Sequence, residues 1–289
     1  MLFSFYDQLG SPQPFDTKRS YVTSPWFSPA ILAAIRGTIA VYTFITLLVI
    51  LIYDSVVTHD GNSYFSYFTE LTYIGICSYY WASFTQTFVY AIRLRRAPNK
   101  APEYPLQRWP RILQLLHVML GTTVVSFPIL VTIVFWALLA SPSVFATPFS
   151  AWSNISIHAL NTAWSLFEMV GTNSPPPRWL MIPLIIIILA LYLGLAYITY
   201  ATQGFYTYSF LDPSEGKAHL AGYIIGIAVA GCIVFTLAKT IMWTRAKVAP
   251  SKGIEVEGEE EEEKMTTKRV DSLGSSETAV EKVKGDRMV

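Results

Sequence analysis

The 289 residues are 52% hydrophobic and 15% aromatic, carry a formal net charge of +1 and include two cysteines. Cys77 and Cys232 both fall in apolar stretches, which argues against a disulfide framework or a cysteine-based metal site. The basic residues gather at the ends of apolar stretches with no fold to present them to nucleic acid, which argues against that partner too. The near-zero charge itself decides nothing, because it averages a chain that divides between two solvents.

Residues 1–28 hold Pro12, Pro14 and Pro25 among aromatic side chains and read as a cytosolic or interfacial arm, with Trp26 and Phe27 suited to the headgroup layer. Six apolar stretches follow at 29–53, 66–92, 112–140, 150–171, 179–201 and 220–243. Each approaches the roughly 20 mostly apolar residues that cross a hydrocarbon core of about 30 Å. The chain is therefore expected to be all-α, a polytopic membrane protein with a six-helix transmembrane bundle over residues 29–243. The first stretch is too long for a cleavable signal and should stay as an anchor. In the third, Pro128 removes one backbone hydrogen bond and should bend the helix.

The loops give an orientation. Connections 54–65 and 141–149 lack Lys and Arg, and the connection after the fifth stretch has only Lys217. The other side carries Lys18 and Arg19, then Arg93, Arg95, Arg96, Lys100, Arg108 and Arg111, then Arg178. Basic loops stay in the cytosol, so both termini are expected there. Arg36 and Lys239 lie toward cytosolic span ends and are expected to snorkel. His117 should be interfacial, whereas His59 and His219 stand in loops or at a span boundary. Residues 244–289, with acidic Glu259 to Glu263, are expected to form a disordered cytosolic tail, since they lack the apolar surface to offset ordering entropy.

Polar residues inside the spans are the candidates for function. In the fourth stretch Asn154, His158, Asn161, Ser165 and Glu168 fall within about 80° of one another on an ideal helix. In the second, Thr69, Thr72, Tyr73, Tyr80, Ser83 and Thr87 share an arc of about 100°. Two such stripes predict a site between helices. Both stretches enter from the non-cytosolic side, with Thr69 about 5–9 Å and His158 roughly 12 Å deep at the α-helical rise. Bland readings compete: a membrane Thr commonly bonds its own backbone, Asn often joins helices, and Glu168 can pair with Arg178 or a loop cation.

Three short motifs add a resemblance. Ser66-Tyr67-Phe68-Thr69, Trp152-Ser153-Asn154-Ile155-Ser156-Ile157-His158 and Gly204 to Asp212 resemble the androgen-induced-gene (androgen-dependent) family of multispanning membrane proteins, in a divergent fungal-type form. Members are intramembrane threonine hydrolases that cleave fatty acid esters of hydroxy fatty acids. The similarity covers about 30–243. It implies Thr69 as nucleophile and His158 as its base, and it matches Phe135-Trp136 to an aromatic pair. Ser66 stands where the family commonly has Lys, Thr72 where it has Asn, and Ile155 where it has a second His; a His pair before Gly204 is absent.

The chemistry expected on that resemblance is ester hydrolysis. His158 would take the Thr69 proton during attack and return it to the leaving alcohol, leaving an acyl-Thr69 that water hydrolyses. Asn154, Asn161, Tyr73 and Tyr208 are supporting candidates for orienting the imidazole, stabilising the oxyanion or binding substrate. The expected partner is a lipid substrate from the outer leaflet; no cofactor or metal is expected, and protein partners are not indicated. Rival readings are a transporter or lipid-binding protein, favoured by polar stripes, and a non-catalytic scaffold. Haem binding lacks a second deep His, and a zinc protease lacks its His-Glu-x-x-His motif. The endoplasmic reticulum and the plasma membrane both fit.

Overall fold

The computed structural model describes residues 5–98 and 101–249, and every regular element among them is helical. The long helices are α1 (Pro29–Val56), α2 (Phe68–Arg96), α3 (Arg111–Leu139), α4 (148–171), α5 (Ile182–Gln203) and α6 (Lys217–Val248). Four segments are long and apolar enough to cross a membrane: α1, α3, α5 with its preceding turn (Trp179–Gln203), and α6. The expectation for the tail beyond residue 249 lies outside the described residues; within them, α6 continues past Trp243 to Val248.

Local chemistry explains the ends. Ser28 caps α1 by accepting a hydrogen bond from the Ile31 amide, with Pro29 in the first turn where its missing N–H costs nothing. Thr147 and Ser150 form a reciprocal cap on α4. Gly204 ends α5 at φ 82°, a left-handed conformation that a Cβ would strain. In α3 the helix breaks at Val125 and Ser126 and restarts at Phe127, with Pro128 in the first turn of the new segment.

The helices α2 and α4 differ from the other four. They carry the Thr, Tyr, Ser, Asn and Glu side chains that lower apolarity, and those side chains point inward: Thr69, Tyr73, Ser83, Thr87, Asn161 and Glu168 are all buried. By contrast α5 and α6 present apolar side chains outward, with Leu191 68% and Ile225 64% exposed, as suits a lipid-facing surface. Polar residues thus occupy the inner helices and apolar ones the periphery.

The arm is folded onto one end of the bundle. Leu9, Phe15 and Val22 are buried there, and the Gln13 side chain donates to Gln114 at 2.6 Å. Three expectations change at this end. Arg36 does not snorkel: fully buried, it donates to Glu168 at 2.5 Å, to the Tyr21 carbonyl at 2.7 Å and to Thr87 at 2.7 Å. Glu168 accordingly pairs with Arg36 rather than Arg178, because a buried carboxylate needs a buried cation. His117 is buried between Tyr21 and Tyr79 instead of facing the interface, its ring stacked on Tyr79 at 5.4 Å.

Candidate active site

Thr69 is the second residue of α2, after an extended Tyr67 that makes no side-chain cap. Extended Tyr67 separates it from the short 3-10 turn Tyr64–Ser66, so no α-helical turn precedes it to offer a carbonyl, unlike most membrane threonines. The first amides of any helix lack intrahelical partners, so the start of α2 places a partial positive charge near the Thr69 hydroxyl. The side chain is 7% exposed and faces a cavity of about 200 Å³.

His158 reaches the same cavity from α4. Residues Ser156–Leu160 form a π-helical turn, and a second π-helical turn, Phe135–Leu139, ends α3 opposite it. The widened turn leaves the His158 carbonyl for partners on α3. Thr132 donates to it at 2.8 Å and the Trp136 indole at 3.3 Å. The imidazole lies flat on Phe135, with centroids 3.6 Å apart and planes 6° from parallel. His158 Nδ1 is buried with no hydrogen-bond partner. No hydrogen bond joins Thr69 and His158 side chains among the described residues; they share the cavity as neighbours across it.

Tyr208 completes this group from the connection between α5 and α6. It also lines the cavity. Burial pushes its hydroxyl well above the usual phenol range, so it remains a proton donor. The Tyr192 hydroxyl donates to the Ser66 carbonyl and can accept from the Thr207 hydroxyl, each at 3.1 Å, which ties that connection to the start of α2.

The other three candidates sit elsewhere. Asn161 is engaged with α3: its Oδ1 lies 3.0 Å from the Thr132 hydroxyl, and its amide donates to the Pro128 carbonyl at 3.3 Å. Asn154 donates to the Val144 and Ser150 carbonyls and so holds the loop before α4. Tyr73 is buried with Ile39, Ile76 and Tyr80, away from the cavity lining. The π-helical turn explains why Asn161 leaves the face of His158, whereas Tyr73 lies on α2, which has no such turn, and packs in a different cluster. One extra residue rotates everything after it by about 100°, so the stripe drawn on an ideal helix does not stay on one face.

The remaining cavity wall is apolar: Leu130, Val131, Phe135, Leu189, Phe210 and Ile227 among others. Ile186, Ile224 and Ala228 border both this cavity and an open apolar groove between α5 and α6 that extends to Leu237. The arrangement offers one hydroxyl, one imidazole and one phenol in an apolar chamber continuous with a lipid-facing surface. Sequence reasoning missed the two π-helical turns, for which proline and aromatic content near residue 135 gave no signal.

Comparison with known proteins supplies no relative: no family model, no curated protein and no solved structure matches the chain.

Proposed function

We propose that this protein is an intramembrane lipid-ester hydrolase in which Thr69 is the nucleophile and His158 its base. The reading rests above all on one observation: Thr69, His158 and Tyr208, from three separate elements, line a single apolar cavity. It includes the six-span topology with both termini in the cytosol, for which the loop charges are the support.

In this reading the ester carbonyl carbon sits between Thr69 and His158. The Thr69 Oγ1 attacks it as the hydroxyl proton passes to the imidazole, and the carbonyl oxygen takes the electron pair. The Tyr208 hydroxyl is the donor available to that oxyanion. Collapse expels the alkoxide, which receives the proton from His158 and leaves as an alcohol. Water then attacks the acyl-Thr69, with His158 acting as base and returning the proton to Thr69. The products are a carboxylic acid and an alcohol, and the enzyme is regenerated. Phe135, stacked on the ring, fixes its plane during both transfers.

The substrate class follows from the walls. Apolar side chains suit acyl chains, and a lipid ester would slide in along the groove between α5 and α6 without leaving the membrane. Fatty acid esters of hydroxy fatty acids have a mid-chain ester flanked by alkyl segments, which suits a catalytic pair enclosed by such walls. Either compartment, endoplasmic reticulum or plasma membrane, supplies such lipids. The apolar cavity also suits a lipid-binding or transport protein, which would need neither proton transfer nor an acyl intermediate.

The decisive experiment measures hydrolysis of a hydroxy-fatty-acid ester by purified, monodisperse protein. Thr69→Val and His158→Asn should each abolish turnover, and the double variant should lose little more, because residues acting as one unit are not additive. Thr69→Ser should keep some activity. Full activity in either single variant would remove the catalytic assignment and leave the lipid-binding reading.

A further inference from the structure

A lipid ester carries alkyl carbon on both sides of its carboxyl group, and the cavity holding Thr69 and His158 is small for it. Its volume of about 200 Å³ lies below the roughly 300–1,000 Å³ of ordinary small-molecule sites. With the carbonyl between Thr69 and His158, two long chains must both leave the cavity. One exit is the groove between α5 and α6, which shares Ile186, Ile224 and Ala228 with it. The other chain needs a second exit.

A second apolar groove, of about 410 Å³, lies on the opposite flank of α5, against α2 and α3. On α5 it is lined by Ile188, Leu191 and Leu195, whose spacing of three and four residues keeps them on one face. That face is about 180° round the helix from Ile186. On α2 the lining residues are Phe68, Leu71, Thr72 and Gly75, again a single stripe, which runs about 10 Å along the helix from its first residue. Thr69 is the sequence neighbour of this stripe and faces the catalytic cavity.

Phe68 and Tyr192 line the groove and the catalytic cavity alike, so their rings, 4.9 Å apart between centroids, form the wall between the two. The halves of that wall are held differently. The Tyr192 hydroxyl is hydrogen-bonded to the Ser66 carbonyl and the Thr207 hydroxyl. The Phe68 ring has no polar atom and is held by apolar packing, against Tyr192 and against Phe127 at 5.1 Å. Phe68 is thus the half that can turn aside, and it stands one residue from the nucleophile. Farther along, Gly75 keeps the groove open, because it places no side chain there.

We infer that the groove between α2, α3 and α5 is the subsite for one of the two alkyl chains of the ester, entered past the Phe68 ring. The inference rests on the hydrolase reading and narrows its substrates to esters with a long chain on each side of the carboxyl group. Such an ester straddles α5, with one chain along α6, the other along α2, and the reacting carbonyl behind the helix. Because lipid is as apolar as the groove, the effect is steric rather than hydrophobic: the groove gives the second chain a place to lie.

The test uses the full chain in nanodiscs and compares kcat/KM for three esters. Octadecyl palmitate is long on both sides, whereas octadecyl acetate and methyl palmitate are each long on one. Gly75→Leu fills the groove. A Cβ at Gly75 would meet only Leu120 Cδ1, at 4.0 Å, and leucine is a better helix former than glycine, so the variant should fold. Leu191→Trp, at a position 68% exposed, fills the groove from the α5 side. Each should lower the ratio of kcat/KM for octadecyl palmitate to that for the better one-chain ester by at least roughly tenfold, the effect of a methylene-sized misfit in an apolar pocket. An unchanged ratio in either folded variant would overturn the subsite and leave the hydrolase reading standing. Hydrolysis of none of the three esters by the unsubstituted chain would end the hydrolase reading and the subsite with it.

Discussion

The His158 imidazole lies on the Phe135 ring in near-parallel contact, 3.6 Å between centroids, and each residue belongs to a π-helical turn. Two widened turns facing each other set the backbone of α4 against α3 and leave the imidazole edge toward the cavity. Such turns are rare and recur at functional sites. Phe135→Leu keeps an apolar wall but removes the flat support. An aromatic pair contributes about 0.5–1.5 kcal/mol, so turnover should fall roughly two- to tenfold with the unfolding midpoint little changed. Steady-state kinetics and a thermal scan on the same preparation decide it; equal activity would mean the stack does not orient the base.

Tyr208→Phe separates a donor from a packing role. The ring contacts with Phe210 at 5.1 Å and Tyr67 at 6.0 Å survive, and only the hydroxyl is lost. If that hydroxyl stabilises the oxyanion, kcat should fall on the order of 10²-fold with KM nearly constant, as for loss of one oxyanion donor. A change confined to KM would assign Tyr208 to substrate binding.

Arg36 and Glu168 should behave as a structural pair. Breaking a buried ion pair by removing one partner costs about 3–5 kcal/mol because the other charge is left uncompensated. Arg36→Met should therefore lower the unfolding midpoint sharply, while Arg36→Met with Glu168→Leu should regain much of it, since apolar replacement of both charges is often tolerated. Additive destabilisation in the double variant would show that the other donors to Glu168, rather than the pair, hold this region.

Orientation is checked by accessibility. Tags at the N-terminus, at the C-terminus and near Arg95 should be reached only from the cytosol, and a tag near Gly61 only from the opposite side. Finding Gly61 on the same side as Arg95 would remove α2 from the set of spans.

The helical class and the four apolar spans were legible because apolar length is a local property of the chain. The starts of α1 at Ser28-Pro29 and of α4 at Thr147-Pro148 follow ordinary capping chemistry, and the break in α3 was foreshadowed by Pro128. Two inner helices were harder. Their polar content places α2 and α4 below the apolar threshold that the other four meet, and only burial shows where those side chains go. Thr69, His158 and Tyr208 meet at one cavity, but Tyr73, Asn154 and Asn161 do not line it: Tyr73 packs against α1, Asn154 holds the loop before α4, and a π-helical turn shifts Asn161 in a way no ideal helical wheel contains. Arg36 with Glu168 was missed for a different reason. Their contact spans 132 residues of sequence, and neither residue carries any mark of its partner.

The N-terminal arm has a consequence for how the protein is made. Ser24 donates to the Gly171 carbonyl, Trp26 to the Val170 carbonyl, and the Asn173 amide to the Thr23 carbonyl. The Ser24 contact closes a gap of 147 residues. At about 5–20 residues per second, those partners emerge roughly 7–30 s after the arm itself. Through that interval the cluster around Phe15 and Val22 still lacks Met181, Ile185 and Phe235, and Arg36 is made before Glu168 exists. The arm is thus made well before its partners and is among the last parts to reach its final contacts, so the period of translation is when an attached fusion or a bound chaperone has most influence on assembly.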